Sequence, residues 1–165
     1  MKILVLSDSH GGKSFMRECV RTLQPRAVIH LGDYYSDAED LEEEFPELYF
    51  YKVPGNCDAH RSWVPEPETR VEKVCGVKLL FTHGHRHMVK QTLIRLVADA
   101  RASKVQAVLF GHTHQAHCEQ LEDGLWVLNP GAGGSWGGTA GVLEVENGEI
   151  LSCRIVKAED LVKGV

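Results

Sequence analysis

Nine histidines in a chain of 165 residues are unevenly placed, most of them lying in two short stretches or beside Asp, Gly and Asn. Five groups carry the potential for chemistry: Asp8-x-His10, Gly32-Asp33, Gly55-Asn56, His83-Gly84-His85 and Gly111-His112-x-His114. All of them offer oxygen or nitrogen donors to a metal ion. In an extended segment residues i and i+2 face the same way, so Asp8 with His10, and His112 with His114, can each grip one site from one side. Glycine next to the donors permits the close backbone approach or positive φ that a loop folded around an ion requires. A donor set without sulfur favours Mn, Fe, Co, Ni or Zn over a thiolate zinc site. One such dipeptide alone is a common loop accident; five, each at the end of an expected strand, are not.

The elements that must position these groups follow from the apolar pattern. Lys2 to Ser7 reads as a buried strand running into the Asp8 loop, and Ser14 as the N-cap of a helix with Phe15, Cys19, Val20 and Leu23 on one face. Ala27 to Leu31 is a second strand before Gly32-Asp33, followed by an acidic helix over 36–44 and a third strand, Leu48 to Val53, before Asn56. This alternation predicts parallel strands with right-handed crossovers and a site beyond their carboxyl ends. Thr69 to Val74 and Val77 to Phe81 form an expected hairpin about Cys75-Gly76. A helix marked by Val89, Leu93, Leu96, Val97 and Ala100 then leads to a strand over Val105 to Phe110. Strand-like segments 116–122, 125–128, 140–145 and 149–156, with turns at Asp123-Gly124 and Asn147-Gly148, suggest an antiparallel or mixed second half. No linker-like composition divides the chain, so a single domain over 1–165 is expected, with two sheets face to face and helices outside both.

Composition excludes several classes of function. With 18 basic against 23 acidic residues the net charge is −5, and no Lys/Arg block interleaves with aromatics, which argues against an extended nucleic-acid surface. No apolar run reaches the ~18 residues a membrane span needs, and the start lacks a signal-peptide pattern, so the expected location is the cytoplasm. Five scattered cysteines, Cys19, Cys57, Cys75, Cys118 and Cys153, read as reduced thiols.

The ordered series D-x-H, GD, GN-x-D, H-G-H and G-H-T-H closely resembles the calcineurin-like metallophosphoesterase superfamily, and the short chain with GNCD is similar to its small bacterial and archaeal phosphodiesterase branch. The resemblance runs from Asp8 to Asn129-Pro130-Gly131. It implies a four-layer α/β/β/α sandwich of two mixed sheets with flanking helices. It also implies two divalent metal ions, manganese first among them with Fe, Ni, Co or Zn as alternatives. Asp8, His10, Asp33 and His114 would hold one ion, and Asp33, Asn56, His83 and His112 the other, with Asp33 bridging. Two such ions against two carboxylates and a shared hydroxide keep the site positive, able to draw a phosphate into an anionic protein and to attack it without a covalent intermediate.

The implied activity is hydrolysis of a small phosphodiester; the alternatives are a phosphomonoesterase with the same centre, or a non-catalytic interaction scaffold of the same fold. Assembly with further copies of the chain stays open. Many phosphomonoesterases of the superfamily have a proton-donating His where this chain has Cys57, which leaves Asp58, His85 and His60 as candidate general acids beside Asn56. The Arg of the protein-phosphatase pattern is also missing after Asp33. His30, inside an apolar strand, reads as a hydrogen-bonded core histidine, His87 and His117 as surface residues or supports of the site, and Gly131 to Gly138 as a site wall without the Lys of a P-loop. Trp63, Trp126, Trp136, Tyr34 and Tyr35 read as packing before substrate stacking.

Overall fold

A computed structural model describes residues 1–58, 67–134 and 137–163. His60, Trp63 and Trp136 lie outside the described residues. The first sheet contains β1 (Lys2–Leu6), β2 (Ala27–His30), β3 (Tyr49–Lys52), β9 (Thr139–Glu146) and β10 (Glu149–Lys157), in the order β10-β9-β1-β2-β3. The second contains β4 (Thr69–Val74), β5 (Val77–Thr82), β6 (Ala107–Leu109), β7 (His117–Gln120) and β8 (Trp126–Asn129), in the order β4-β5-β6-β8-β7. β1, β2 and β3 pair in parallel, as do β5, β6 and β8. β9 pairs antiparallel with both β1 and β10, and β4 with β5 and β7 with β8 likewise, so both sheets are mixed.

The period of two along each strand builds the layers. Ile3, Val5, Ala27 and Ile29 pack against Val77, Leu79, Phe81 and Leu109 of the other sheet. The alternate residues Leu4, Leu6 and Val28 face α1 (Lys13–Leu23), α2 (Tyr35–Glu44) and α4 (Ala158–Val162). On the far side Leu80, Val108 and Val127 meet Leu96 and Ala100 of α3 (Ile94–Ala102). β1 is buried on both faces, which is why it reads as a continuous apolar run rather than an alternation. The result is the expected α/β/β/α sandwich, with the carboxyl ends of β1, β2, β5 and β6 opening on one rim.

Several local expectations are corrected. α1 is capped by Gly12, with Ser14 already inside the first turn and no side-chain cap bond, because the Asp8 loop delivers Gly12 N to Ser9 O at 2.7 Å and fixes the entry. The helix expected from Val89 begins at Ile94: Met88 adopts φ 56 at the end of a 3-10 turn, His85–His87, so Val89 keeps its buried position without helical backbone. β9 and β10 leave the second half and join the first sheet beside β1. Cys118 in β7 is joined to Cys153 in β10, their Cα atoms 6.7 Å apart, so two of the five thiols are paired. The partners are 35 residues apart in sequence, and no local pattern announces the pairing. Among the described residues no helix is long and apolar enough to cross a membrane.

Candidate metal centre

Five of the seven expected ligands have left-handed backbone: Asp8 (φ 51), His10 (φ 44), Asp33 (φ 57), His112 (φ 71) and His114 (φ 60). Such a conformation costs a non-glycine residue roughly 1–2 kcal/mol, so the loops need restraints that oppose relaxation. The restraints are buried and polar. Asp58, 3% exposed, accepts from the backbone N–H groups of Gly55 (2.7 Å), Asp33 (2.9 Å) and Tyr35 (2.9 Å), tying the Asn56 loop to the Asp33 loop. Asn129, fully buried, donates to Gly111 O at 3.3 Å and Thr113 Oγ1 at 2.9 Å and accepts from Gly131 N–H, holding the loop of His112 and His114. Two glycines allow the loops to close: a Cβ on Gly55 would run into the Asp33 carboxylate, and one on Gly111 into Ser7 Oγ and Asp8 Oδ2.

Two clusters of ligand atoms converge within 4.8 Å: Asp8 with His10 and His114, and Asp8 with Asp33 and His83. Asp8 is thus common to both, where the resemblance places the bridge at Asp33. Asp8 Oδ2 is held by Ser7 Oγ at 2.5 Å and His112 N–H at 3.1 Å. Its Oδ1 is buried without a hydrogen-bond partner among the described residues, with His114 Nε2 3.1 Å away in a geometry that makes no hydrogen bond. A buried carboxylate oxygen left without a donor is costly unless a cation meets it.

His83 reports the same need from the other side. Its Nδ1 donates to Leu31 O at 2.7 Å, which leaves Nε2 as the lone pair. That lone pair faces Asn56 Oδ1 at 3.0 Å, Asp33 Oδ2 at 3.5 Å and Asp8 Oδ1 at 3.9 Å. An array of lone pairs around one point accommodates a proton or a metal ion. With no metal, burial works to lower the His83 pKa, but the Asp33 hydrogen bond and the charges of Asp8 and Asp33 raise it overall. Burial likewise works to raise the Asp33 carboxyl, yet His83 and the Cys57 amide hold it well below the usual carboxylate range. His112 is pushed down to about 4, by burial first and then by His83 and Lys90, so it stands ready as a neutral ligand. Its ring is 5.0 Å from that of His83, and the His10 ring is 5.3 Å from that of His114.

The three residues considered for catalysis are placed differently. Asn56 is exposed, its carbonyl oxygen toward His83 and its Nδ2 toward Cys57 Sγ at 3.7 Å. Asp58 faces inward, its carboxylate taken up by the three amides above. His85 has Nε2 3.6 Å from Glu68 Oε1 and its ring 6.1 Å from that of His112. Burial first, then the charge of His83, lowers its pKa. The Cys57 thiol is raised, by burial and then by its hydrogen bond to Asp33. Nothing in the sequence singles out Glu68, Asp37 or Ser9; an acidic residue on an acidic helix, such as Asp37, differs in nothing visible from its solvated neighbours.

His30 lies behind the centre and is the core histidine expected, pushed down to about 4 by burial against the opposing charges of Asp8, Asp37 and Asp58. In the unfolded chain its pKa is near 6.5, so between these values the unfolded state binds a proton that the folded state refuses. Stability from this group is therefore complete above about pH 6.5 and is lost as pH falls toward 4, by on the order of 3 kcal/mol. Denaturant titrations of metal-free protein across that range should show a steeper pH dependence for the wild type than for His30→Gln. Equal slopes would contradict it.

Residues 1–148 match the calcineurin-like phosphoesterase superfamily domain. The chain is 34% identical over 139 residues to the "Probable metallophosphoesterase YsnB" of Bacillus subtilis, covering 80% of this chain and 75% of that protein. It is 29% identical over 145 residues to the "Phosphodiesterase MJ0936" of Methanocaldococcus jannaschii, covering 79% and 83%. Among solved structures, a predicted phosphoesterase from Streptococcus pneumoniae superposes with TM-score 0.75 at 22% identity, over 96% of this chain and 90% of that one, a likeness of fold.

Proposed function

The chain belongs to the calcineurin-like phosphoesterase superfamily, and on that premise we propose that it hydrolyses a small phosphodiester with two divalent metal ions, manganese foremost, held among Asp8, His10, Asp33, Asn56, His83, His112 and His114. The observation that carries the reading is Asp8 Oδ1, without a hydrogen-bond partner among the described residues and fully buried at the meeting point of both ligand clusters. Bound ions would lower the pKa of a shared water to yield the nucleophile and would polarise the phosphoryl oxygens. Asn56 adds a donor without adding charge, which keeps the centre positive beside Asp8 and Asp33. His112, neutral at pH 7, can take an ion without first losing a proton.

The surroundings favour diesters with good leaving groups. His85, lowered below its usual range by burial and then by the charge of His83, is a poor proton donor at neutral pH. The raised Cys57 thiol matches an alkoxide leaving group poorly, and Asp58 is committed to the loops. The additional charge of a monoester would call for a guanidinium, and Arg86, beside His85, is engaged by Glu68 at 3.0 Å. Metal-stripped protein reloaded with manganese should therefore hydrolyse an activated aryl phosphodiester about tenfold or more faster than its monoester, a difference of about 1.4 kcal/mol in the barrier for the extra charge that the engaged Arg86 does not meet. A preference for the monoester would assign the centre to a phosphomonoesterase.

A further inference from the structure

Behind the metal centre a second set of buried polar side chains is hydrogen-bonded within itself and to backbone amides of the ligand loops. Ser9 is fully buried, His30 is 1% exposed and Asp37, on α2, is 3% exposed. Ser9 Oγ donates to Asp37 Oδ2 at 2.8 Å, and the same oxygen accepts the Gly11 N–H at 2.8 Å. With its proton spent on Asp37, Ser9 Oγ accepts from His30 Nε2 at 3.1 Å. The other ring nitrogen, Nδ1, accordingly accepts the Gly32 N–H at 3.2 Å. Every proton in this chain of contacts has a single consistent direction, from Gly32 through His30 and Ser9 to Asp37.

Its two ends lie on different ligand loops. Asp37 grips the residues on either side of His10, and His30 grips the residue before Asp33. We propose that Asp37, Ser9 and His30 are positioning residues that hold His10 and Asp8 in their left-handed conformations and set their placement relative to Asp33. This rests on the reading of the rim as a metal centre. The Asp33 loop is independently clasped by two bonds to Asp58, and the His112 loop by Asn129. The Ser9 hydroxyl and the Gly11 amide, by contrast, are given to Asp37. Asp8, common to both clusters, keeps its own tie to the Asp33 loop through its N–H to Gly32 O at 3.0 Å, so loss of the network loosens His10 first and with it the half-site of Asp8, His10 and His114, more than that of Asp33, Asn56, His83 and His112.

The test is titration of the metal-free full chain with manganese, read by calorimetry. Supports of this kind typically change metal affinity 10–100-fold. Asp37→Ala should weaken one of two binding steps by about that much and leave the other within about threefold. Asp37→Asn, which keeps an acceptor oxygen for both donors, should restore most of the loss. Should Asp37→Ala not fold, as judged by circular dichroism without metal, Ser9→Ala decides, with the same one-step weakening expected in smaller measure. Two unchanged steps, or two equally weakened ones, overturn the proposal while leaving the metal centre intact. A wild type that binds no metal overturns the functional reading beneath it.

Discussion

Asp33→Asn is expected to weaken both metal ions at once and to lower turnover of an aryl phosphodiester by about three orders of magnitude, on the scale of losing a metal ion that polarises the reacting phosphoryl group. Asp33 follows β2 at the point where the ligand groups meet, with Oδ1 held by the Cys57 N–H at 2.9 Å and Oδ2 3.5 Å from His83 Nε2. An amide there preserves shape and the Cys57 bond but removes the charge, and one of its terminal atoms becomes a donor. Calorimetry on Asp33→Asn beside Asp8→Asn separates the two carboxylates. If Asp33→Asn spares one ion and Asp8→Asn loses both, the bridge belongs to Asp8, the residue common to both clusters.

The second large effect concerns stability. Asp58→Ala leaves the buried amides of Gly55, Asp33 and Tyr35 without their acceptor. Each unsatisfied group costs about 1–3 kcal/mol, and with some relief from entering water the expected loss is about 3–6 kcal/mol, a large part of the 5–15 kcal/mol typical of a domain. Urea denaturation of metal-free protein measures it. The exposed Asp123→Ala, which removes a surface pair with Arg101, should stay within about 1 kcal/mol. A loss as small for Asp58→Ala would contradict its role as clasp and reopen the carboxyl as a proton donor.

What the chain announces in advance is whatever local chemistry dictates. Cys75-Gly76 and Asn147-Gly148 take positive φ at both positions, as tight hairpins demand, and both hairpins form. The ligand groups stand out because a polar donor set at the end of an apolar strand has few other uses. Long-range choices leave no such trace. Whether β9 pairs with β1 or with β8 depends on which sheet edge is free, and the apolar alternation of β9 serves either. Asp58 and Asp37 look alike as acidic residues near a site; only the folded loops show one clasping Asp33 and the other gripping Ser9 and Gly11. Val89 and Leu93 keep helical spacing because both must reach the α3 core, although the backbone between them is not helical.

The most direct test of the central claim is to strip the protein of metal, add back manganese in measured amounts, and follow ions bound per chain together with aryl phosphodiester turnover. The expected result is two ions per chain, with turnover appearing as the second site fills and vanishing on chelation. Full turnover by protein that holds one ion or none would contradict it.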